Sequence, residues 1–238
     1  MATLLVFHGF NSAGGTDKAA FLRNHLTGVE VLSPTYSHDP DRAVADLQNR
    51  IEEHTSRYRS VALLGTSLGA YYARYLGRRH GLPTILINPS LDPISTLRPA
   101  VGRNRNFKTG ECYWFSESHL AALGRYSCDE RHADPPTLVL LDMADELLNP
   151  ADTARRFQNR SNVRVVCFEG GNHRFAHIGE ALPYIAEHIG VASHQYVAVH
   201  SSYAEPLRDW STEARAEHAG DERNHEMECT KAKPNGAR

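Results

Sequence analysis

The sequence predicts an α/β fold: a mostly parallel sheet flanked by helices, with one small lid insertion. Three observations lead there. Short apolar runs such as Leu4-Leu5-Val6-Phe7, Val61-Ala62-Leu63-Leu64 and Leu138-Val139-Leu140-Leu141 have the length of strands buried on both faces. They alternate with longer segments whose apolar residues recur every three or four positions, as on helices lying against a sheet. The 238 residues, 41% hydrophobic and 23% charged, suffice for a sizeable core without metals or disulfides.

In chain order, Thr3–Phe7 is the first strand and Val29–Ser33 the second. Asp41–Tyr58 is a helix, because Val44, Leu47 and Ile51 fall on one face. Val61–Leu64 is the third strand, ended by Gly65, and the helix Leu68–Arg79 stops at Gly81. Thr84–Ile87 is the fourth strand. Thr137–Leu141 is the fifth, since Pro135-Pro136 cannot extend a central strand backwards. Asp152–Phe157 is helical, Val163–Phe168 is the sixth strand and Ile178–Ile189 the last helix. Two segments break the rhythm. Residues 90–136 are too long for a simple connection, and Tyr113-Trp114-Phe115 within them favours an ordered insertion. Residues 191–238 are polar, with few large apolar residues after Tyr203, and read as a disordered tail with room for a short helix over Ser211–His218. The expected organisation is one domain over residues 1–190 and a tail over 191–238.

Composition narrows the function classes. A net charge of −2 gives no reason to expect nucleic acid or a membrane surface as a partner. No apolar run approaches the roughly 18 residues of a membrane span. Met1-Ala2-Thr3 leads straight into the first strand without a basic start, so the expected location is cytoplasmic. Cys112, Cys128, Cys167 and Cys229 are widely spaced and form no C-x-x-C pair, which argues against zinc and against a disulfide framework. The 14 histidines lack metal-ligand spacing, and no metal is expected.

Gly65-Thr66-Ser67-Leu68-Gly69 matches G-x-S-x-G, the pattern that projects a nucleophilic serine from a strand-to-helix turn. The pattern occurs by chance in roughly one chain in fifteen of this length, so its context decides. A buried strand directly precedes it and a helix directly follows, and the helix N-terminus can face developing negative charge. The bland alternative is a glycine-rich turn with an incidental serine. An acyl-transfer serine needs a histidine base and an orienting acid, which on such sheets follow in the order Ser, Asp/Glu, His. Val163–Phe168 runs into Glu169-Gly170-Gly171-Asn172-His173, and Leu138–Leu141 runs into Asp142-Met143-Ala144-Asp145-Glu146. Asp145 is favoured as the acid because a loop residue reaches across more easily; Asp142 is the rival, otherwise a turn cap. His173 is favoured as the base over His177, which stands where a helix begins and is expected at the surface. The oxyanion donors expected are the N–H groups of Leu68 and of Phe10, in the loop His8-Gly9-Phe10-Asn11-Ser12. His8 itself is expected to shape that loop.

These residues carry a family resemblance. From Leu4 to about Ile189 the chain resembles the YqiA-type bacterial esterases of the α/β-hydrolase superfamily. The shared features are His8-Gly9-Phe10-Asn11-Ser12, Gly65 with Ser67-Leu68-Gly69, Tyr71-Tyr72-Ala73 and Asn88-Pro89. They continue with Gly102, Asn104, Asn106, Thr109-Gly110 and Tyr113, then Asp145-Glu146, and Gly170-Gly171-Asn172-His173 with Phe175. The resemblance implies a compact α/β-hydrolase acting on short acyl esters and acyl-CoA thioesters, with no cofactor and with Ser67, Asp145 and His173 as its triad. Ala70 departs from a glycine of the family pattern, and the tail has no counterpart in it. Perhydrolase or lyase chemistry on the same triad, and a silent hydrolase fold used for binding, are the alternatives. For substrate, Leu97, Tyr113, Trp114 and Phe115 are candidates to line an acyl pocket under a lid. Arg98, Arg103, Arg105 and Lys108 fall within eleven residues. They are either a cradle for coenzyme A phosphates or a solvated basic loop.

Overall fold

The computed structural model describes residues 2–58, 60–192 and Tyr196. The chain divides after residue 201 into two units, and all of these residues belong to the first. The elements are β1 (Ala2–Phe7), α1 (Asp17–His25), β2 (Val29–Leu32), α2 (Pro40–Arg57), β3 (Ser60–Thr66), α3 (Leu68–His80) and β4 (Thr84–Ile87). The insertion then forms α4 (Pro93–Thr96), β5 (Gly102–Arg105), β6 (Cys112–Phe115) and α5 (Glu117–Leu123). β7 (Thr137–Asp142), α6 (Pro150–Phe157), β8 (Val163–Phe168) and α7 (Ile178–His188) complete the fold. Every strand and helix expected outside the insertion and the tail is present, with ends within two residues. The expected helix over Ser211–His218 lies outside the described residues.

The main sheet has the order β2-β1-β3-β4-β7-β8, with each neighbouring pair parallel. Successive strand residues point to opposite faces, so the core has two layers. Leu5, Phe7, Leu63, Val139 and Leu141 pack with residues of α2, α3, α5 and α6. Leu4, Val6, Ala62, Leu64, Ile85, Ile87, Leu138 and Leu140 pack with α1 and α7. Burial on both faces is why these strands read as unbroken apolar runs. From β1 the chain passes to β2 on one side, and β3 then pairs on the other. The crevice between the C-terminal ends of β1 and β3 is therefore a topological switch point, the usual seat of a ligand in such sheets.

α1 is the helix that the apolar periodicity leaves out. Only Ala19 and Leu22 of its nine residues are buried, too thin a stripe to read, and Thr16 caps it by accepting the Ala19 N–H at 3.2 Å. The end of the insertion is fastened by ions. The Asp134 carboxylate has no exposed surface and meets Arg78 Nε at 2.7 Å, Arg74 Nε at 3.0 Å and Arg160 Nε at 2.6 Å. Burial would raise its pKa, but hydrogen bonds from Arg78 and Arg74 hold it down at about 2. Glu130 joins the cluster through paired contacts to Arg74 at 2.9 Å.

Candidate active site

Strand register brings the functional loops to one edge. Phe7 lies beside Gly65, Thr66 beside Ile87, Ile87 beside Leu140 and Asp142 beside Phe168. The chain leaves this edge at His8, Ser67, Asn88, Met143 and Glu169.

Ser67 adopts φ 55°, ψ −120°, a left-handed backbone for a non-glycine residue. Its N–H donates to Ile87 O at 3.0 Å, and its carbonyl accepts from Ala70, Tyr71 and Ser90 N–H groups at 3.0, 3.3 and 3.2 Å. The turn demands both flanking glycines. A Cβ on Gly65 would lie 2.2 Å from Gly69 O, and one on Gly69 would lie 2.4 Å from Phe7 O. Ala70, the next residue, is fully buried.

His173 Nε2 lies 3.0 Å from Ser67 Oγ, and His173 Nδ1 lies 2.8 and 3.0 Å from the Asp145 carboxylate oxygens. The bonding pattern assigns the proton to Nδ1, which donates to Asp145 and leaves Nε2 to accept from Ser67. The Asp145 side chain is 2% exposed, and its Oδ1 also accepts the Leu147 and Leu148 N–H groups at 2.9 Å. Asp142 does a different job. Its buried carboxylate accepts the Asn172 N–H at 3.1 Å, the Ala176 N–H at 2.7 Å and His177 Nδ1 at 2.6 Å. His177 is thus not the surface residue that the sequence suggests. A histidine at the start of α7 can turn inward because Asp142 waits beneath it, and Phe168 stacks on its ring at 5.3 Å.

Two further residues hold His173, and sequence reasoning assigns neither a role. Asn88 Nδ2 donates to Asn172 O and His173 O at 2.9 and 3.2 Å, while its Oδ1 accepts the Asp142 N–H at 2.9 Å. Glu146 Oε2 accepts the His173 N–H at 2.9 Å. Their signals were the Asn88-Pro89 and Asp145-Glu146 pairs, whose chemistry cannot be read without the fold.

On the other flank, Gly9 faces Ser67: a Cβ there would stand 3.4 Å from Ser67 Cβ and 3.9 Å from Oγ. The next N–H, that of Phe10, and the Leu68 N–H have no acceptor among the described residues. His8 is buried and stacked on Tyr36 at 3.9 Å, its Nδ1 donates to Gly9 O at 2.9 Å, and burial pushes its pKa down to about 4. It is a neutral wedge under the loop. The candidate substrate residues separate by strand alternation. Tyr113 faces inward with Asn104, whereas Trp114, 64% exposed, shares the outer face of the hairpin with Arg103 and Arg105. Phe115 is buried against Phe10 at 5.1 Å, and Leu97 packs on the core. The aromatics therefore do not form one wall. Among the described residues no group of His, Cys, Asp and Glu could hold a metal.

A parallel sheet with this strand order and this serine turn defines an α/β-hydrolase fold. Residues 3–189 match UPF0227, described as an uncharacterised protein family, and the chain belongs to that family. It is 25% identical to a UPF0227 protein of Shewanella sp. (strain ANA-3) over 189 residues, spanning 76% of this chain and 96% of that protein. Against a UPF0227 protein of Shewanella loihica it is 30% identical over 150 residues, covering 58% and 81%. Among solved structures it resembles Est1E from Butyrivibrio proteoclasticus, with TM-score 0.61 and 14% identity over 79% of this chain and 88% of that one. The esterase domain of a Rhodothermus marinus protein gives TM-score 0.57 and 18% identity over 79% and 85%. At such identities these two likenesses concern the fold alone.

Proposed function

We propose that the protein is a serine hydrolase cleaving short-chain carboxyl esters or acyl-CoA thioesters through an acyl-enzyme on Ser67. The observation that carries this reading is the unbroken hydrogen-bonded chain from Ser67 through His173 to Asp145. Ser67 Oγ attacks the acyl carbonyl while His173 Nε2 takes its proton, and Asp145 stabilises the imidazolium. The Leu68 and Phe10 N–H groups receive the negative charge of the tetrahedral intermediate. His173 then protonates the departing alcohol or thiol, and a water activated by the same nitrogen releases the acid. Tyr113 belongs to the acyl side, while Trp114, Arg103 and Arg105 offer an outer surface for the phosphates of a coenzyme A thioester. The similar structures include proteins named as esterases, which supports ester cleavage. A small-molecule acyl substrate is the only partner this chemistry requires.

A fluorophosphonate should label Ser67 stoichiometrically, and Ser67→Ala should lose both labelling and p-nitrophenyl ester turnover by about 10⁴-fold or more while keeping its melting temperature. Wild-type protein that neither labels nor turns over would instead be a binding module on a hydrolase fold.

A further inference from the structure

The hairpin β5–β6 and its turn are hydrogen-bonded to the loop after β1 at several points. Asn11 stands at φ 55° and is held at three points. Its Nδ2 donates to Asn104 Oδ1 at 3.1 Å, its Oδ1 accepts the Tyr113 hydroxyl, and its carbonyl accepts the Phe107 N–H at 2.8 Å. Asn104 is itself fixed, since its Nδ2 donates to Ala100 O at 2.7 Å and Gly102 O at 3.2 Å. Asn106 Nδ2 donates to Ser12 O at 2.8 Å, while its Oδ1 accepts the Lys108 and Thr109 N–H groups at 2.9 and 3.0 Å and closes the hairpin turn. Lys108 Nζ reaches Gly15 O. The Phe10 ring meets Tyr113 and Phe115 edge-on at 6.4 and 5.1 Å.

Phe10 thus lies between Gly9, which faces Ser67, and Asn11, pinned to the hairpin. We infer that β5–β6 is the frame of the oxyanion loop, and that Asn104 and Tyr113 are positioning residues which act through Asn11 to aim the Phe10 N–H at the reacting oxygen. The inference rests on the acyl-enzyme reading above. It accounts for the spacing Gly-x-Asn-x-Asn-x-x-Thr-Gly-x-x-Tyr over residues 102–113: the inward residues bind the loop, the next asparagine folds the turn, and the intervening positions face outward. Burial raises the Tyr113 phenol pKa and keeps it a donor. A backbone donor contributes to catalysis only when aimed where charge develops, so a slack loop lowers kcat without changing how the ground state binds.

Tyr113→Phe removes one hydroxyl, and Asn104→Leu removes the acceptor at similar size. Each should lower kcat on p-nitrophenyl butyrate by about tenfold or more, part of the 10²–10³ that a lost oxyanion donor costs. KM should stay within twofold. Inhibition by a trifluoromethyl ketone, whose hemiketal on Ser67 carries the same oxyanion, should weaken by the same factor as kcat. Tyr113→Phe serves if Asn104→Leu does not fold. A raised KM with unchanged kcat, or unchanged ketone inhibition, would overturn the inference and leave the hairpin as a pocket wall. Wild-type turnover abolished by Ser67→Ala keeps the acyl-enzyme reading intact in that case; absent turnover would sink both.

Discussion

At Ser67 the backbone holds a conformation that costs a non-glycine residue on the order of 1–3 kcal/mol. The turn persists because its carbonyl takes three N–H groups, and it is sterically possible only because residues 65 and 69 are glycines. The same scale separates the two acids. Asp145 touches the His173 ring, so Asp145→Asn should favour the wrong tautomer and lower kcat by roughly 10³–10⁴-fold with little change in melting temperature. Asp142 touches the N–H groups on either side of that histidine and the His177 ring. Asp142→Asn should chiefly lower stability, by about 1–3 kcal/mol for a buried polar group with mismatched partners. Side-by-side kinetics and melts check the ranking; the reverse order would make Asp142 the catalytic acid. The candidate grouping of Ser67, Asp145 and His173 was legible in the sequence because each lies in the loop or turn that an apolar strand runs into. Asn88 and Glu146 were not, because they act on backbone atoms of a segment more than twenty residues away in sequence, and nothing local marks such a partner.

Elements were legible where burial wrote a period. The strands buried on both faces and the striped helix α2 stood out. α1 did not, since two buried residues make no stripe, and strand β5 of the hairpin did not, since its inward positions are a glycine and an asparagine rather than apolar residues. Polar residues that bond inward look like loop residues. The ionic cluster at the end of the insertion was invisible for the same reason. Asp134 there neutralises arginines from α3 and from the turn before β8, all three with side chains no more than 16% exposed. Replacing it by Ala leaves Arg78 without its carboxylate and Arg74 and Arg160 with Glu130 alone, and the protein should lose about 3 kcal/mol, the low end of what removing one partner of a buried pair costs. Urea denaturation measures this; a loss below about 1 kcal/mol, the value of a surface pair, would show that water already shares the site.

At the scale of the molecule, the family match ends at residue 189, yet the described chain does not leave the domain there. Val191 N–H donates to Ala186 O at 2.8 Å, and Tyr196 bridges to Leu26 and packs on the α1–α7 layer. A chain ended after residue 201 keeps both of these contacts. One ended at Gly190 should melt several degrees lower, since 1 kcal/mol shifts a domain of this size by about 2–4 °C. Both should keep turnover, because every proposed catalytic residue precedes the cut. Equal melting of the two would show that Tyr196 contributes nothing.

The insertion begins and ends on the same support. Near its start the Ser90 N–H bonds Ser67 O at 3.2 Å, one residue before α3, and near its end Asp134 grips Arg74 and Arg78 on α3 itself. Its departure and its return are thus anchored to one helix, and the stretch between them stands off the sheet as a unit held at both ends. The same stretch holds the hairpin whose Asn104 and Tyr113 grip Asn11 in the loop after β1. A change in its length would therefore be felt at α3 and at the loop after β1 together, because one tether pulls on both.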